Sequence, residues 1–353
     1  MTSLDIAHQR LHNQRLSSHG FKKPGDVVKW LGAVQAQDYH GAKWALGQRT
    51  KRLTDDDVEK AFTDGQILRT HVMRPTWHFV TPADIRWLLR LTAPRVNVAC
   101  SYYYRKLELD AAVFRRSNKA LARALEGGKH LTREALRTVI QRAGIGSVDL
   151  LRFNHILVRA ELDGLICSGP RHGKQFTYAL LDERVPQGKD LAPDEALAEL
   201  TRRYFTSHGP ATAADFTWWS GLTATDVKRG LEIVKRSLVK EGIDGKTYWL
   251  ASSTPTLKPA SSVAYLLPAF DEYLVAYKDR SAANDPEYTG NPIFNSTIVW
   301  DGKIVGSWNR KIERDSVTVT LNLFPRLTKT ATLAIAEAAR RYGEFLGMAT
   351  ILR

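Results

Sequence analysis

Residues 117–182 spell out one supersecondary unit in full, and its recurrence along the chain constrains the fold more than any other feature. A helical pattern at residues 118–126 runs into Gly127-Gly128. Thr132 then stands as an N-cap with Glu134 in the first turn, opening a helix to about Arg142. Asp149 caps a third helix to Asp163, which Gly164 stops. Residues 165–168, a basic turn at residues 169–174 and residues 175–180 follow as a β-hairpin. Three helices and a hairpin make a winged helix.

A second copy starts at Pro193, with Leu197, Leu200 and Tyr204 on one helical stripe. Thr212 caps a short helix through Trp218-Trp219, Thr223 caps a third helix to Ser237, and residues 238–250 form the wing around Asp244-Gly245. A looser copy precedes both, with helices at residues 26–36 and 54–63 and a strand at residues 69–80. After Leu250 the pattern changes. Residues 251–262 are Ser/Thr/Pro-rich and read as a linker. Strand-like runs follow at residues 263–267, 296–300, 304–308 and 316–323, with a hairpin turn at Trp300-Asp301-Gly302-Lys303 and a closing helix over 328–345. Polar residues 281–292 read as a long mobile loop.

The expectation is therefore an α+β chain of three tandem winged-helix units and a C-terminal β domain. Its first domain is residues 1–92, an N-terminal helix and the first winged helix; residues 93–185 form a basic helical segment and the second. The third winged helix is residues 190–250, and the β domain with its closing helix is 262–353.

Charge points to the partner. Lys and Arg number 51 against 37 Asp and Glu, a formal net charge of +14. Between Pro94 and Arg142 there are 11 basic and 4 acidic residues, so 7 of those 14 excess charges fall in one segment. A clustered excess of this kind attracts polyanions, and binding through it should weaken steeply with salt. No apolar run is long enough for a membrane helix, and the first residues lack the apolar centre of a signal peptide, so a cytoplasmic location is expected. Cys100 and Cys167 have no pairing motif and read as reduced, partly buried thiols. No metal and no cofactor are expected.

Catalytic signatures are sparse. The chain has no Gly-rich phosphate loop, no H-E-x-x-H and no G-x-S-x-G. Asp271-Glu272 is the most conspicuous acidic pair, but strand neighbours point to opposite faces, which suits a structural role. The run Val34-Gln35-Ala36-Gln37-Asp38 presents two amides two positions apart. On a regular helix they would not face each other, so they converge only where the helix ends or distorts. Taken alone, such a pair is usually solvated helix surface.

That run, together with Arg74-Pro75-Thr76-Trp77-His78, residues 266–273 (LLPAFDEY) and residues 301–308 (DGKIVGSW), resembles the AlkZ/YcaQ family of bacterial DNA glycosylases over nearly the whole chain. The resemblance implies three winged helices in a C-shaped body with a C-terminal β domain. It implies excision of bulky N7-alkylated guanines and, in some members, unhooking of interstrand crosslinks. The family carries a catalytic Q-Φ-Q or Q-Φ-D motif, and Gln35 and Gln37 match the first form with Ala36 as Φ. An N7-alkylated guanine already bears positive charge and leaves without a general acid. The protein has then to supply a held water and a partial negative field beside the sugar, which two amide carbonyls can provide. No lysine is required, so hydrolysis without strand cleavage is expected. Asp38 is a possible base or field contributor.

His78 is a second possible support, against the alternative of a strand histidine bonded in the core. Arg152, His155 and Arg159 share one face of a third helix, where winged helices often read a groove, or a solvated face. Arg171, His172 and Lys174 at the wing tip are the best phosphate contacts; Arg74 and Lys303 complete the candidate DNA-binding set. Tyr102-Tyr103-Tyr104 could stack on bases, though at least one should be core. The 281–292 loop and the hairpin at 300–308 are candidates for entering the minor groove. The expected partner is double-stranded DNA, bound by a monomer. The alternatives are a non-enzymatic winged-helix regulator, which would usually dimerise, and a protein that sequesters an alkylating compound in an apolar pocket.

Overall fold

The computed structural model describes residues 2–18, 20–145, 149–188, 190–254, 263–284, 290–324 and 327–353. Most of the linker reading at 251–262, and the centre of the loop reading at 281–292, fall outside the described residues.

The chain begins with α1 (Ser3–Asn13), opened by a Thr2–Asp5 capping box, and α2 (Pro24–Leu31), with proline at its first position. The sequence pattern carries α2 to Ala36, but the helix stops at Leu31. Gly32 takes φ +86°, and a side chain there would meet the Trp219 ring at 3.4 Å. The short strand β1 (Val34–Gln35) and α3 (Tyr39–Gly47, capped by Asp38) follow, then α4 (Asp55–Thr63). The expected strand at 69–80 is two strands, β2 (Leu68–His71) and β3 (Trp77–Val80), paired antiparallel. Between them the chain reverses through Met73 at φ +64° and through Pro75, which has no amide hydrogen to give a ladder.

Helix α5 (Ile85–Lys106) holds Pro94 in its interior, and α6 (Ala111–Leu125) starts at an Asp110 cap, seven residues before the pattern announced it. Then come β4 (Leu131–Thr132), α7 (Arg133–Arg142, capped by Thr132), α8 (Leu150–Leu162, capped by Asp149), β5 (Ile166–Ser168) and β6 (Thr177–Leu180), with the strands ordered β4-β6-β5. After the single turn α9 (Leu181–Arg184) follow α10 (Pro193–Ser207), α11 (Ala213–Ser220) and α12 (Ala224–Val234, boxed by Thr223 and Asp226). A 3-10 turn leads into the hairpin β7 (Leu238–Ile243) and β8 (Lys246–Ala251).

The C-terminal part comprises β9 (Ala264–Leu267), the single turn α13 (Glu272–Val275), β10 (Thr297–Trp300), β11 (Lys303–Ile312), β12 (Ser316–Leu323), α14 (Lys329–Leu346) and β13 (Ala349–Leu352). Its sheet runs β13-β12-β11-β10-β9, with β13 parallel to β12. The β10–β11 turn has both central residues, Asp301 and Gly302, at positive φ, as a two-residue hairpin loop requires.

The chain divides into two compact units, one of Met1–Glu59, Ala198–Trp219 and Thr223–Arg353, the other of Lys60–Leu197 and Ser220–Leu222. In the first, Trp44 of α3 meets Tyr342 and Phe345 of α14 at 5.1 Å each, and Trp308 meets Tyr342 at 5.1 Å. Both indoles donate to carbonyls of β9, Trp44 to Leu266 at 2.7 Å and Trp308 to Leu267 at 2.8 Å, so helix, sheet and closing helix share one core. The second unit is built on Leu121, Leu125, Leu136, Phe153, Ile156 and Tyr178 from α6, α7, α8 and β6. Cys100 and Cys167 are both free and buried, and burial pushes the Cys167 thiol up to about 12, which makes it unreactive. No described helix is long and apolar enough to cross a membrane.

Candidate active site

In the first unit the Gln-Ala-Gln run lies in an extended stretch between two helices, not on a helix. Ala33, Val34 and Ala36 are fully buried and fix its path, Gln35 is 6% exposed, and Gln37 is open to solvent. The backbone of this stretch is tied down from far away in sequence. The Gln35 N–H donates to Glu272 Oε1 at 2.8 Å, across 237 positions.

Glu272 is fully buried. Its second oxygen accepts from the Trp219 indole N–H at 2.8 Å, and His208 Nε2 stands 3.5 Å from it. A buried carboxylate is costly unless its lone pairs are used, and here both oxygens are. Burial lowers the His208 pKa below its ordinary 6.5, with the Glu272 carboxylate pulling the other way; its Nδ1 contacts Ser207 Oγ at 2.8 Å. Asp271 faces elsewhere. It accepts from both terminal nitrogens of buried Arg49 at 2.9 and 2.8 Å and caps α13 through the Tyr273 N–H. Arg49 in turn donates to the Gln14 side chain at 3.0 Å, and Gln14 donates to the Glu272 carbonyl at 3.1 Å. The two adjacent acids therefore act separately, Asp271 as half of an ion pair and Glu272 as the anchor of the Gln35 backbone. The local sequence carries no sign of the second role.

Asp38 closes the extended stretch. Its Oδ1 accepts from the Gly41 N–H at 3.0 Å as the cap of α3, and its Oδ2 meets Arg310 Nη2 of β11 at 3.3 Å. Beyond Arg310, Lys311, Ile312, Glu313 and Arg314 are all exposed where β11 turns into β12. Lys303 is half-buried beside the other turn, which is docked rather than projecting: Asp301 bonds His8 at 2.7 Å, and Tyr273 donates to the Gly302 carbonyl at 2.8 Å. That turn is not available to enter a groove.

The second unit holds the other candidates. His78 is fully buried in β3, its Nδ1 2.9 Å from the Thr76 carbonyl and its Nε2 3.4 Å from half-buried Arg74. On α8, Arg159 pairs with Asp163 at 2.7 Å and lies over the Phe114 ring, while the amide of Arg152 takes the Asp149 cap. His155 stacks on exposed Tyr103 at 5.0 Å, and burial holds its pKa low. At the β5–β6 tip, Lys174 is exposed and Arg171 covers Phe176 at 5.1 Å. The basic excess itself surfaces on α6, where exposed Arg115, Lys119 and Arg123 recur every four residues along one face.

Comparison with known proteins decides the family. A sequence model described as DNA glycosylase AlkZ-like matches residues 28–345. The chain belongs to the AlkZ-like DNA glycosylase family. It is an enzyme of N-glycosyl bonds, which rules out the non-enzymatic regulator. An interstrand DNA cross-link repair glycosylase of Streptomyces sahachiroi is 24% identical over 365 residues, covering 97% of this chain and 96% of that protein. The solved Streptomyces sahachiroi DNA glycosylase AlkZ has the same fold, with a TM-score of 0.80 at 21% identity over 100% of this chain and 99% of the other.

Proposed function

We propose that this AlkZ-like glycosylase is monofunctional and hydrolyses the N-glycosidic bond of bulky N7-alkylated purines, with Gln35 and Gln37 at the reacting centre. The observation that carries the reading is the extended Gln-Ala-Gln stretch, held at the Gln35 N–H by a buried carboxylate. On an extended chain, positions two apart share a face, which a helix would have denied them. The two carbonyls then hold the attacking water and oppose the positive charge that grows on the sugar as the C1′–N9 bond opens. The alkylated base leaves as a neutral group, so no general acid and no amine nucleophile is needed. Asp38 supports the site as a fixed negative charge, and His78 as a hydrogen-bonding neighbour of Arg74.

The relative named as an interstrand cross-link repair glycosylase supports crosslinked guanines among the substrates. We read α6–α8 with β4–β6, and α10–α12 with β7–β8, as two of three winged helices, and the chain as a cytoplasmic monomer on duplex DNA. Arg74, Arg152, Arg159, Arg171, Lys174 and Lys303 are its backbone contacts, and their charge makes binding fall with salt.

The test is base release from a duplex carrying an N7-alkylguanine or a nitrogen-mustard crosslink. Gln35→Ala and Gln37→Ala should each lower single-turnover release by about 100-fold or more while DNA binding persists, the scale seen when a positioned polar group is lost from a reacting centre. Release at the wild-type rate by both variants would remove the amides from the chemistry.

A further inference from the structure

Within the second unit, a cleft of about 380 Å³ opens between the start of α7 and the arms of the β5–β6 hairpin. Four cations line it, Arg69, Arg133, Arg137 and Lys174, against one carboxylate, Glu134. Arg69 is only 8% exposed, and its guanidinium lies between two aromatic faces, 4.2 Å from the Trp77 centroid and 4.6 Å from that of Phe176. A guanidinium is weakly hydrated and tolerates this sandwich, which fixes its plane in advance of any ligand. Arg133 and Arg137, four apart on α7, share one helical face, and Arg133 is itself steadied over the Phe153 ring at 5.0 Å. The first turn of α7 adds the partial positive charge of its amides at the same end.

We propose that this cleft is a nucleotide-unit site, taking one phosphodiester of the bound DNA strand among the arginines with its base against the Trp77 wall. Three features select that ligand. The excess of three positive charges in a small volume is relieved by an anion. Arginine forks suit a phosphate better than a point charge does. The aromatic lining offers a planar group a stacking surface that a bare phosphate would not use. The site is distinct from the exposed wing tip, because most of its cations sit on α7 and β2 rather than on the turn. The inference rests on the DNA-bound reading of this enzyme but not on the Gln35–Gln37 chemistry.

Binding is the readout. Arg133→Ala with Arg137→Ala should weaken affinity for an undamaged duplex by about tenfold and reduce the slope of log affinity against log salt by about one to two. Arg133→Lys with Arg137→Lys, which keeps charge but loses the forks, should retain the slope and part of the affinity. Thymidine monophosphate should displace a labelled single-stranded oligonucleotide from the wild type at lower concentration than inorganic phosphate at equal ionic strength. That preference should vanish in the alanine pair. Equal potency of the two displacers overturns the nucleotide assignment. Unchanged duplex affinity in an alanine pair that melts like the wild type overturns the site, even where monophosphate binding is lost. Base release is measured separately, so a glycosylase that binds as described but releases nothing would sink the chemistry and leave this cleft standing.

Discussion

Replacing Glu272 by glutamine keeps the shape of the side chain but turns one of its two acceptors into a donor. Two N–H groups converge on that carboxylate, one from the Gln35 backbone and one from the Trp219 indole, each at 2.8 Å. A single amide carbonyl serves one of them and leaves the other facing an NH2. His208 Nε2 stands beside Oε2, on the Trp219 side, and as a neutral imidazole it can accept from that NH2. The amide therefore turns its carbonyl to Gln35 and strands the Trp219 N–H. The loss is one charge-assisted bond plus one unsatisfied buried donor, together about 2–4 kcal/mol of stability. Glu272→Gln should thus melt lower yet release base within a few-fold of the wild-type rate.

Glu272→Ala is the decisive contrast. It frees the Gln35 N–H as well and opens a cavity beside the extended stretch. A displacement of about 1 Å at a reacting group costs roughly 100-fold, so single-turnover release should fall by about that factor. The cations on α6 and α7 are untouched, and duplex affinity should stay within about twofold. Melting curves, duplex binding and single-turnover release from an N7-alkylguanine duplex give the three numbers. An alanine variant that melts low but releases base like the wild type would refute the reasoning. Glu272 would then stabilise the unit without positioning Gln35.

Other perturbations test the same frame. Arg49→Met leaves the Asp271 carboxylate buried without its bidentate partner and should cost about 3–5 kcal/mol, read as a large drop in melting temperature; a small drop would mean the pair is solvated. Gly302→Ala puts a methyl 2.8 Å from the Ala7 side chain at φ +76° and should cost roughly 2–3 kcal/mol by melting, with wild-type melting counting against the docked turn. His208, like His12, His40, His130 and His155, is held by burial below its ordinary pKa of 6.5. Such groups bind fewer protons folded than unfolded, so their stability contribution is complete above about pH 6.5 and is lost as pH falls through the folded values. Melting temperature should decline from pH 7.5 to 5.5, and a flat profile would contradict the burial of these rings.

What the sequence made legible was set by range. The caps at Thr132, Asp149, Thr223 and Thr328 bond amides three residues ahead, so each start could be read locally. The Asp301-Gly302 turn was equally local. Errors came where a local signal lost to another: apolar periodicity carried α2 past Gly32, and β propensity ran through the Arg74-Pro75 reversal. The parallel strand β13 could not be read, because its partner β12 lies beyond an entire helix. The site divides the same way. Gln35 and Gln37 are visible as a motif because their spacing is local, whereas the carboxylate that holds them is 237 positions away in a pair that looks like an ordinary strand end. A motif names the groups that touch the reaction, and the fold supplies the group that keeps them still. The amides can be neutral because their placement depends on a charge buried elsewhere. Changing Glu272 while leaving Gln35 and Gln37 intact therefore separates having the motif from having it in position.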